Sequence, residues 1–465
     1  MSMKRRQFLK TGALGAAAGG LAVSQGASAA VSYNEEILVY IFLRGGIDCF
    51  NFVVPLGDND HEYYSIMRPV LAIPDSGEGA AIPLGSEPFG LNPLLSPLKD
   101  LYDSSHLAIV QACGTPDAIA SRSHFDAEKY IELGTPGSVG TFTGWLHRHF
   151  VSMTDTLGLY PEEIFLPIVA FRNNPPSSLL GNSSSLTVWS PEQFRLDNAH
   201  WRWNVAGGDP GIMQLDLVPD IYNLATDPLS TAGSQALAAE ALLRNSFDTE
   251  YTGSGDIAYQ DDNIGRQLSD VAQLIKLDAG TRMFTLDYGN FDTHANQNDP
   301  AGYGARIENL GRALASFFDD LEKSGGSYAD RTTVIIQSEF GRRLYQNNSD
   351  GTDHGNGNMM LALGKNVNGG QIYGEWPGLY PGTEDDWVDY PHPITGSTAP
   401  ELFQGALSTT TDFRRVLSEY LQRRGQHTTQ SREFVFPGYT GYSPMGIFKP
   451  IPEPDDLIFR GGFES

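Results

Sequence analysis

Six apolar runs constrain this chain more than any other feature. They are "ILVYIFL" (37–43), "LAIVQAC" (107–113), "IFLPIVAF" (164–171), "RMFTLDY" (282–288), "TTVIIQS" (332–338) and "NMMLALG" (358–364). Each is continuously hydrophobic rather than alternating, the pattern of strands covered on both faces. Between them lie helical periodicities: Ile264, Leu268, Val271, Leu274 and Ile275 make one stripe, and Ile307, Leu310, Leu314, Phe317 and Leu321 another. Strands alternating with such helices predict an α/β fold, a mostly parallel central sheet with helices on both faces. No repeat or charged linker divides the chain, so residues 30–437 read as one domain. The segments 173–235 and 365–405 are rich in Gly, Pro, Asn and Ser and read as long surface excursions.

The first 29 residues read as an address rather than as part of the fold. Arg5-Arg6 is followed by a mild Ala/Gly-rich stretch and the small-residue pattern Ala27-Ser28-Ala29. This resembles a twin-arginine signal, which implies the twin-arginine translocase as a partner and a periplasmic or secreted location. No other segment is long and uncharged enough for stable membrane insertion. Without residues 1–29 the chain has 27 basic against 56 acidic residues, a net charge of −29. Such a field repels nucleic acid and anionic lipid, so neither is an expected partner. Cys49 and Cys113 are too few for a disulfide scaffold; one bridge or two buried thiols both fit. The end of the chain, 438–465, reads as a tail, with a Pro-rich acidic linker and a short aromatic terminus that resembles a sorting tag.

Ligands in open α/β sheets gather beyond the carboxyl ends of the strands. Run 37–43 is followed by Arg44-Gly45-Gly46-Ile47-Asp48, and run 282–288 by Asp292-Thr293-His294. Run 332–338 leads into Glu339, with Asp353-His354 a short loop later. Carboxylates and imidazoles arriving from separate strand ends suit a divalent metal, zinc or manganese before calcium or magnesium, in unstated number. Each piece also has an ordinary reading. Asp292 can close an Asx turn, Glu339 can pair with Arg342 or Arg343, and Asp353-His354-Gly355 can be a turn. In "SRSHFD" (121–126), Ser121 or Ser123 can cap a helix; alternatively Ser123 and His124 sit at its positive end, beside a reacting group.

Five ordered motifs carry a resemblance: Leu43-Arg44-Gly45-Gly46-Ile47-Asp48-Cys49-Phe50-Asn51, Arg122-Ser123-His124-Phe125-Asp126, Phe291-Asp292-Thr293-His294, Ser338-Glu339-Phe340-Gly341-Arg342 and Thr352-Asp353-His354-Gly355. With the twin-arginine start, they are similar to the Domain of Unknown Function 1501 family, placed near the alkaline phosphatase and sulfatase superfamily. The resemblance implies that superfamily's α/β fold, with Asp48, Asp292, His294 and His354 in its metal-ligand places; together with Glu339 and Asp353, read from the strand ends, they are the expected metal ligands. Two departures stand out. Cys49 replaces the usual glycine, without the sulfatase Cys-x-Pro-x-Arg context, and Glu339-Phe340 stands where the superfamily has Asp-His.

Two functions follow as expectations. One is a metal-dependent hydrolase of phosphate or sulfate esters, with Ser123 as nucleophile, His124 beside it, and Arg44, Arg122 and Arg342 clamping a small anionic ester. The other is a non-catalytic exported protein that keeps the fold to hold a metal or a ligand. Carbohydrate binding through Trp376 ranks below both.

Overall fold

The computed structural model describes residues 33–160, 164, 166–194, 214–224, 229–379, 402–403 and 405–452. The segment 1–29, expected to be an export signal, and the end of the C-terminal tail lie outside the described residues.

A nine-stranded sheet organises the molecule. Its strands are β1 (Ile37–Leu43), β2 (Leu107–Gly114), β3 (Ile168–Phe171), β4 (Ser185–Val188), β5 (Met283–Tyr288) and β6 (Thr332–Ser338). A hairpin of β7 (Arg342–Gln346) and β8 (Thr352–His354) stands apart, before β9 (Asn358–Leu363), β10 (Ile372–Tyr373) and β11 (Thr411–Asp412) rejoin the sheet. The order is β10-β2-β9-β6-β1-β5-β3-β4, with β11 also against β2. Every pairing is parallel except those of β9, which runs against both β2 and β6. The fold is therefore α/β with a mostly parallel sheet, as the apolar runs predict.

The runs read as continuous apolar because both faces are indeed covered. All seven residues of β1 are buried. Ile37, Val39, Ile41 and Leu43 face a core shared with helices α2 (Asn263–Leu277) and α3 (Tyr303–Lys323). Leu38, Tyr40 and Phe42 face the other core, with Trp145 and helix α4 (Phe413–Arg423). Each such aliphatic or aromatic burial contributes roughly 1.5–3 kcal/mol.

Three features depart from the sequence reading. The run 164–171 forms a strand only from Ile168. The supposed excursion 173–235 supplies β4 to the sheet edge, and helices Gln214–Asn223 and Leu229–Ser246 begin within it. Likewise the 365–405 segment contributes β10 at the opposite edge.

Register fixes where the site must be. β1 pairs with β5 and β6 so that Leu43 stands opposite both Tyr288 and Ser338. The three strands thus end side by side, delivering the chain after Leu43, Tyr288 and Ser338 to one edge. Because β9 runs the other way, its beginning lies at that edge too, and β8 enters from there. Gly45 and Gly46 adopt φ of +112° and +64°. A Cβ on Gly45 would stand 2.5 Å from the Asp292 amide nitrogen, and one on Gly46 2.3 Å from the Phe340 ring. These glycines are needed for the loops to pack this closely.

Candidate metal centre

Three histidines and an aspartate converge beyond these strand ends. His294 Nε2 lies 2.9 Å from His354 Nε2 and 3.1 Å from Asp292 Oδ1. His354 Nε2 lies 3.0 Å from the same Oδ1, and His124 Nε2 lies 3.5 Å from it. The His124 nitrogen is buried and has no hydrogen-bond partner. His124, Asp292 and His354 form a group whose ligand atoms all fall within 4.8 Å of one another.

The tautomers follow from what the other ring nitrogens touch. His124 Nδ1 is 2.7 Å from Glu339 Oε1, His294 Nδ1 3.0 Å from Asp353 Oδ1, and His354 Nδ1 2.7 Å from the Arg122 carbonyl. All three partners are oxygen acceptors, so each Nδ1 carries the hydrogen and donates it. In the neutral rings every Nε2 is then a lone pair aimed at its neighbours and at a carboxylate oxygen. His294 Nε2, His354 Nε2 and Asp292 Oδ1 lie 2.9–3.1 Å apart, with His124 Nε2 3.5 Å from that oxygen, and imidazole lone pairs so placed repel unless a cation lies among them. Arg342 supplies positive charge to the Asp292 oxygen at 2.6 Å, and a proton or a metal ion between the ring nitrogens would relieve the rest. Histidines that ligate metals ordinarily anchor the second nitrogen on a carboxylate or carbonyl, as all three do here.

Electrostatics fit that need. Burial would raise the Asp292 carboxyl, but the hydrogen bond and charge of Arg342 hold it well below the usual range. Burial likewise opposes ionisation of Glu339, yet His124, the Gly45 N–H and the Ser338 hydroxyl keep it low. Asp353 also stays low against burial, through His294 and Asn347. His354 is pushed down, chiefly by burial, while the hydrogen bond to Glu339 raises His124.

Three of the sequence candidates therefore have different neighbours from those expected. Glu339 and Asp353 do not face the common point through their bonded oxygens; they orient His124 and His294. Asp48 turns away. It is fully buried and paired with Arg68 through contacts of 2.5 and 2.9 Å, with Gln297 Nε2 donating at 2.6 Å. Gln297 in turn accepts from Thr293 and Thr352, the residues before His294 and Asp353. Asp48 thus braces the loops from behind.

The arginines divide similarly. Arg44 is held by Glu128, Glu132 and Asp287 at 2.8, 2.6 and 3.0 Å, so its guanidinium is taken up by carboxylates. Arg342 is fully buried and donates to the Gly45, Gly46, Phe291 and Thr352 carbonyls and to Asp292. Neither is placed to clamp an anion. Arg122 is half-buried, with its carbonyl on His354. Ser123 is the N-cap of helix α1 (His124–Leu133), and its side chain makes no capping bond. Cys49 and Cys113 are both free and buried. Burial, mainly, raises both thiols. Arg68, Gln297 and Tyr303, whose hydroxyl donates to the Asp48 carbonyl, carry no motif that would have marked them in the sequence.

Comparison with known proteins places this geometry in context. The model of a family described as "Protein of unknown function (DUF1501)" matches residues 267–432, which include Asp292, His294, Glu339, Arg342, Asp353 and His354. No curated protein matches the chain. Among solved structures it is similar to a protein in the alkaline phosphatase superfamily from Vibrio parahaemolyticus, at 13% identity and a TM-score of 0.32, covering 74% of this chain and 63% of that one. It is also similar to the PsFucS1 sulfatase from Pseudoalteromonas sp., at 9% identity and a TM-score of 0.30, covering 73% and 65%. A third is the alkaline phosphatase from the Antarctic bacterium TAB5, at 10% identity and a TM-score of 0.28, covering 72% and 94%. The chain thus spans slightly less than two thirds of the first two proteins.

The Asp48–Arg68 contact separates a bracing role from a ligating one. Asp48→Asn should leave the Arg68 guanidinium buried without its counter-charge and lower stability by about 3–5 kcal/mol in urea denaturation. Bound metal, measured in the folded fraction, should remain. Unchanged stability with loss of metal would instead make Asp48 a ligand.

Proposed function

We propose that this chain is an exported metal-dependent hydrolase of phosphate or sulfate esters, its metal held by His124, Asp292, His294 and His354. The observation that carries the reading is the convergence of three Nε2 atoms and one carboxylate oxygen, with every Nδ1 anchored on an oxygen. Three imidazoles with one carboxylate suit zinc or manganese better than calcium or magnesium, which prefer all-oxygen sites. Bound there, such an ion would polarise an ester oxygen and ease deprotonation of a nearby hydroxyl or water.

The chain's own residues supply the rest. Glu339, Asp353 and the Arg122 carbonyl fix the three ring tautomers, so the lone pairs stay directed at one point. Ser123 adjoins His124 at the positive end of a ten-residue helix, and its hydroxyl is not spent on capping. A developing negative charge is stabilised at such an end. Asp292 and His294 are about half exposed, at 44% and 45% of their side-chain surface, so substrate can reach the cluster from solvent. Arg122, the residue before Ser123, is the arginine proposed to meet the ester's non-bridging oxygens.

A second reading, a metal-holding protein without turnover, draws support from the commitment of Arg44 and Arg342 to other partners. A panel of chromogenic phosphate monoesters, phosphate diesters and sulfate esters separates the two. The hydrolase reading expects turnover by the zinc- or manganese-loaded protein, and Ser123→Ala should reduce it by about 10²-fold or more while metal content stays constant. Full activity in Ser123→Ala rejects that nucleophile. Stoichiometric metal without turnover on any ester rejects the hydrolase.

Export by the twin-arginine route, with the translocase as a transient partner, belongs to the same proposal. Among the described residues no helix is long and apolar enough to cross a membrane. Replacing Arg5 and Arg6 together by Lys should leave folded precursor in the cytoplasm. Undiminished export of that variant rejects the route.

A further inference from the structure

Two histidines outside the candidate metal centre face each other beside the core that contains Trp145, Tyr420 and Phe436. His149 lies on the helix Trp145–Val151, and His427 just precedes the helix Thr429–Val435. They are 1% and 4% exposed. His149 Nδ1 stands 2.8 Å from His427 Nε2, so one nitrogen donates and the other accepts. Two imidazolium rings offer only donors, so the contact does not survive protonation of both.

The surroundings carry positive charge. Arg148, next to His149, is itself buried, and its guanidinium donates to uncharged oxygens: the Leu133 and Val435 carbonyls at 2.6 and 2.7 Å, and Thr143. Leu133 and Val435 are the last residues of α1 and of the helix Thr429–Val435, whose negative ends suit a cation. Arg432 adds a second cation from the C-terminal helix, 4.1 Å from the Tyr442 ring. From α4, Tyr420 sets its ring 6.4 Å from His149, and the Glu36 and Arg424 that act on Tyr420 neutralise each other at 2.6 Å. Asp155, in the turn Ser152–Thr156, is exposed and acts on the half-buried His147. Among the described residues no carboxylate acts on either ring of the pair. Burial, reinforced by His427, holds His149 well below the usual imidazole range, and burial with Arg432 pushes His427 down to about 3.

The sign of the pH effect follows. Released histidines take up protons below their ordinary value of about 6.5, whereas the packed pair stays neutral. The stabilisation from packing is therefore complete above that value and is lost as pH falls below it. Each proton taken up on opening multiplies the opening constant by about ten per pH unit. Seven residues are too few for a helix to persist without packing. Its other holds are Arg148 and the apolar contacts of Val435 and Phe436, the latter stacked 5.9 Å from Trp145.

We propose that the His149–His427 contact is an acid-sensitive latch, which lets the helix Thr429–Val435 open while the central sheet stays folded. Hydrogen–deuterium exchange of the full chain between pH 7 and pH 5, corrected for the intrinsic exchange rate, tests this. The expected result is that amides 431–436 lose protection as pH falls below 6.5, by up to about 100-fold per pH unit for two protons, while those of α2 remain protected. In His427→Gln, which keeps an amide able to bond His149, the dependence should fall to about tenfold per unit or less. Protection of 431–436 that is indifferent to pH overturns the proposal, as does its loss only together with that of α2. An unchanged slope in His427→Gln also overturns it. If that variant fails to fold, the two wild-type outcomes still decide. The latch uses no residue of the histidine–Asp292 cluster, so it stands or falls separately from the hydrolase reading.

Discussion

Arg342 is a fully buried cation that no water reaches, and five hydrogen bonds to oxygen make that burial tolerable. Those oxygens come from the loops after β1 and β5 and from β8. One guanidinium therefore ties together segments some 300 residues apart in sequence. It also holds Asp292 Oδ1 at 2.6 Å, so the carboxylate on which the histidines converge is fixed by the same group. Its fork of fixed N–H donors is what allows one side chain to do this, and Lys has no equivalent. The cluster is positioned by the strand register and locked by this arginine.

The same logic explains why the loops hold their shape in a chain with so large an excess of acid. Asp48, deep behind the site, is neutralised by Arg68. Asp287 and Glu132 sit between Arg44 and Arg172, with Glu128 on the far side of Arg44. Charge is thus balanced locally around the strand ends, leaving the half-exposed Asp292 and three imidazoles as the polar groups that face one another. Buried pairs of this kind add little net stability relative to apolar residues, but breaking one leaves a stranded charge. They therefore fix geometry more than they add free energy.

How much of this was legible in the sequence depended on range. β1 and β6 appear at their full length in the sequence because burial on two faces writes itself as an unbroken apolar run. Asp292 and His294 were legible because they follow a strand of the parallel set, whose strands end at one edge, and His354 because it ends the hairpin that follows β6. What the pattern could not show was which atoms each side chain would touch across the fold. Asp48 looked like a ligand until Arg68, twenty residues on and without any motif, took its carboxylate. His124 looked like a catalytic group because it opens a helix, but Glu339 turns its free nitrogen toward Asp292. Arg44 and Arg342 looked like anion clamps, and only burial distinguishes a clamp from a brace. The short edge strand Ser185–Val188, mostly half-buried, left no apolar run to read.

The central claim is that one transition-metal ion joins the three Nε2 atoms to Asp292. Anomalous diffraction at the zinc and manganese edges, from crystals of natively purified protein, tests it most directly. The account predicts a single strong peak per chain, about 2.0–2.2 Å from Nε2 of His124, His294 and His354 and from an Asp292 oxygen. A chain with no peak there, or with its peak on Asp48, would contradict it.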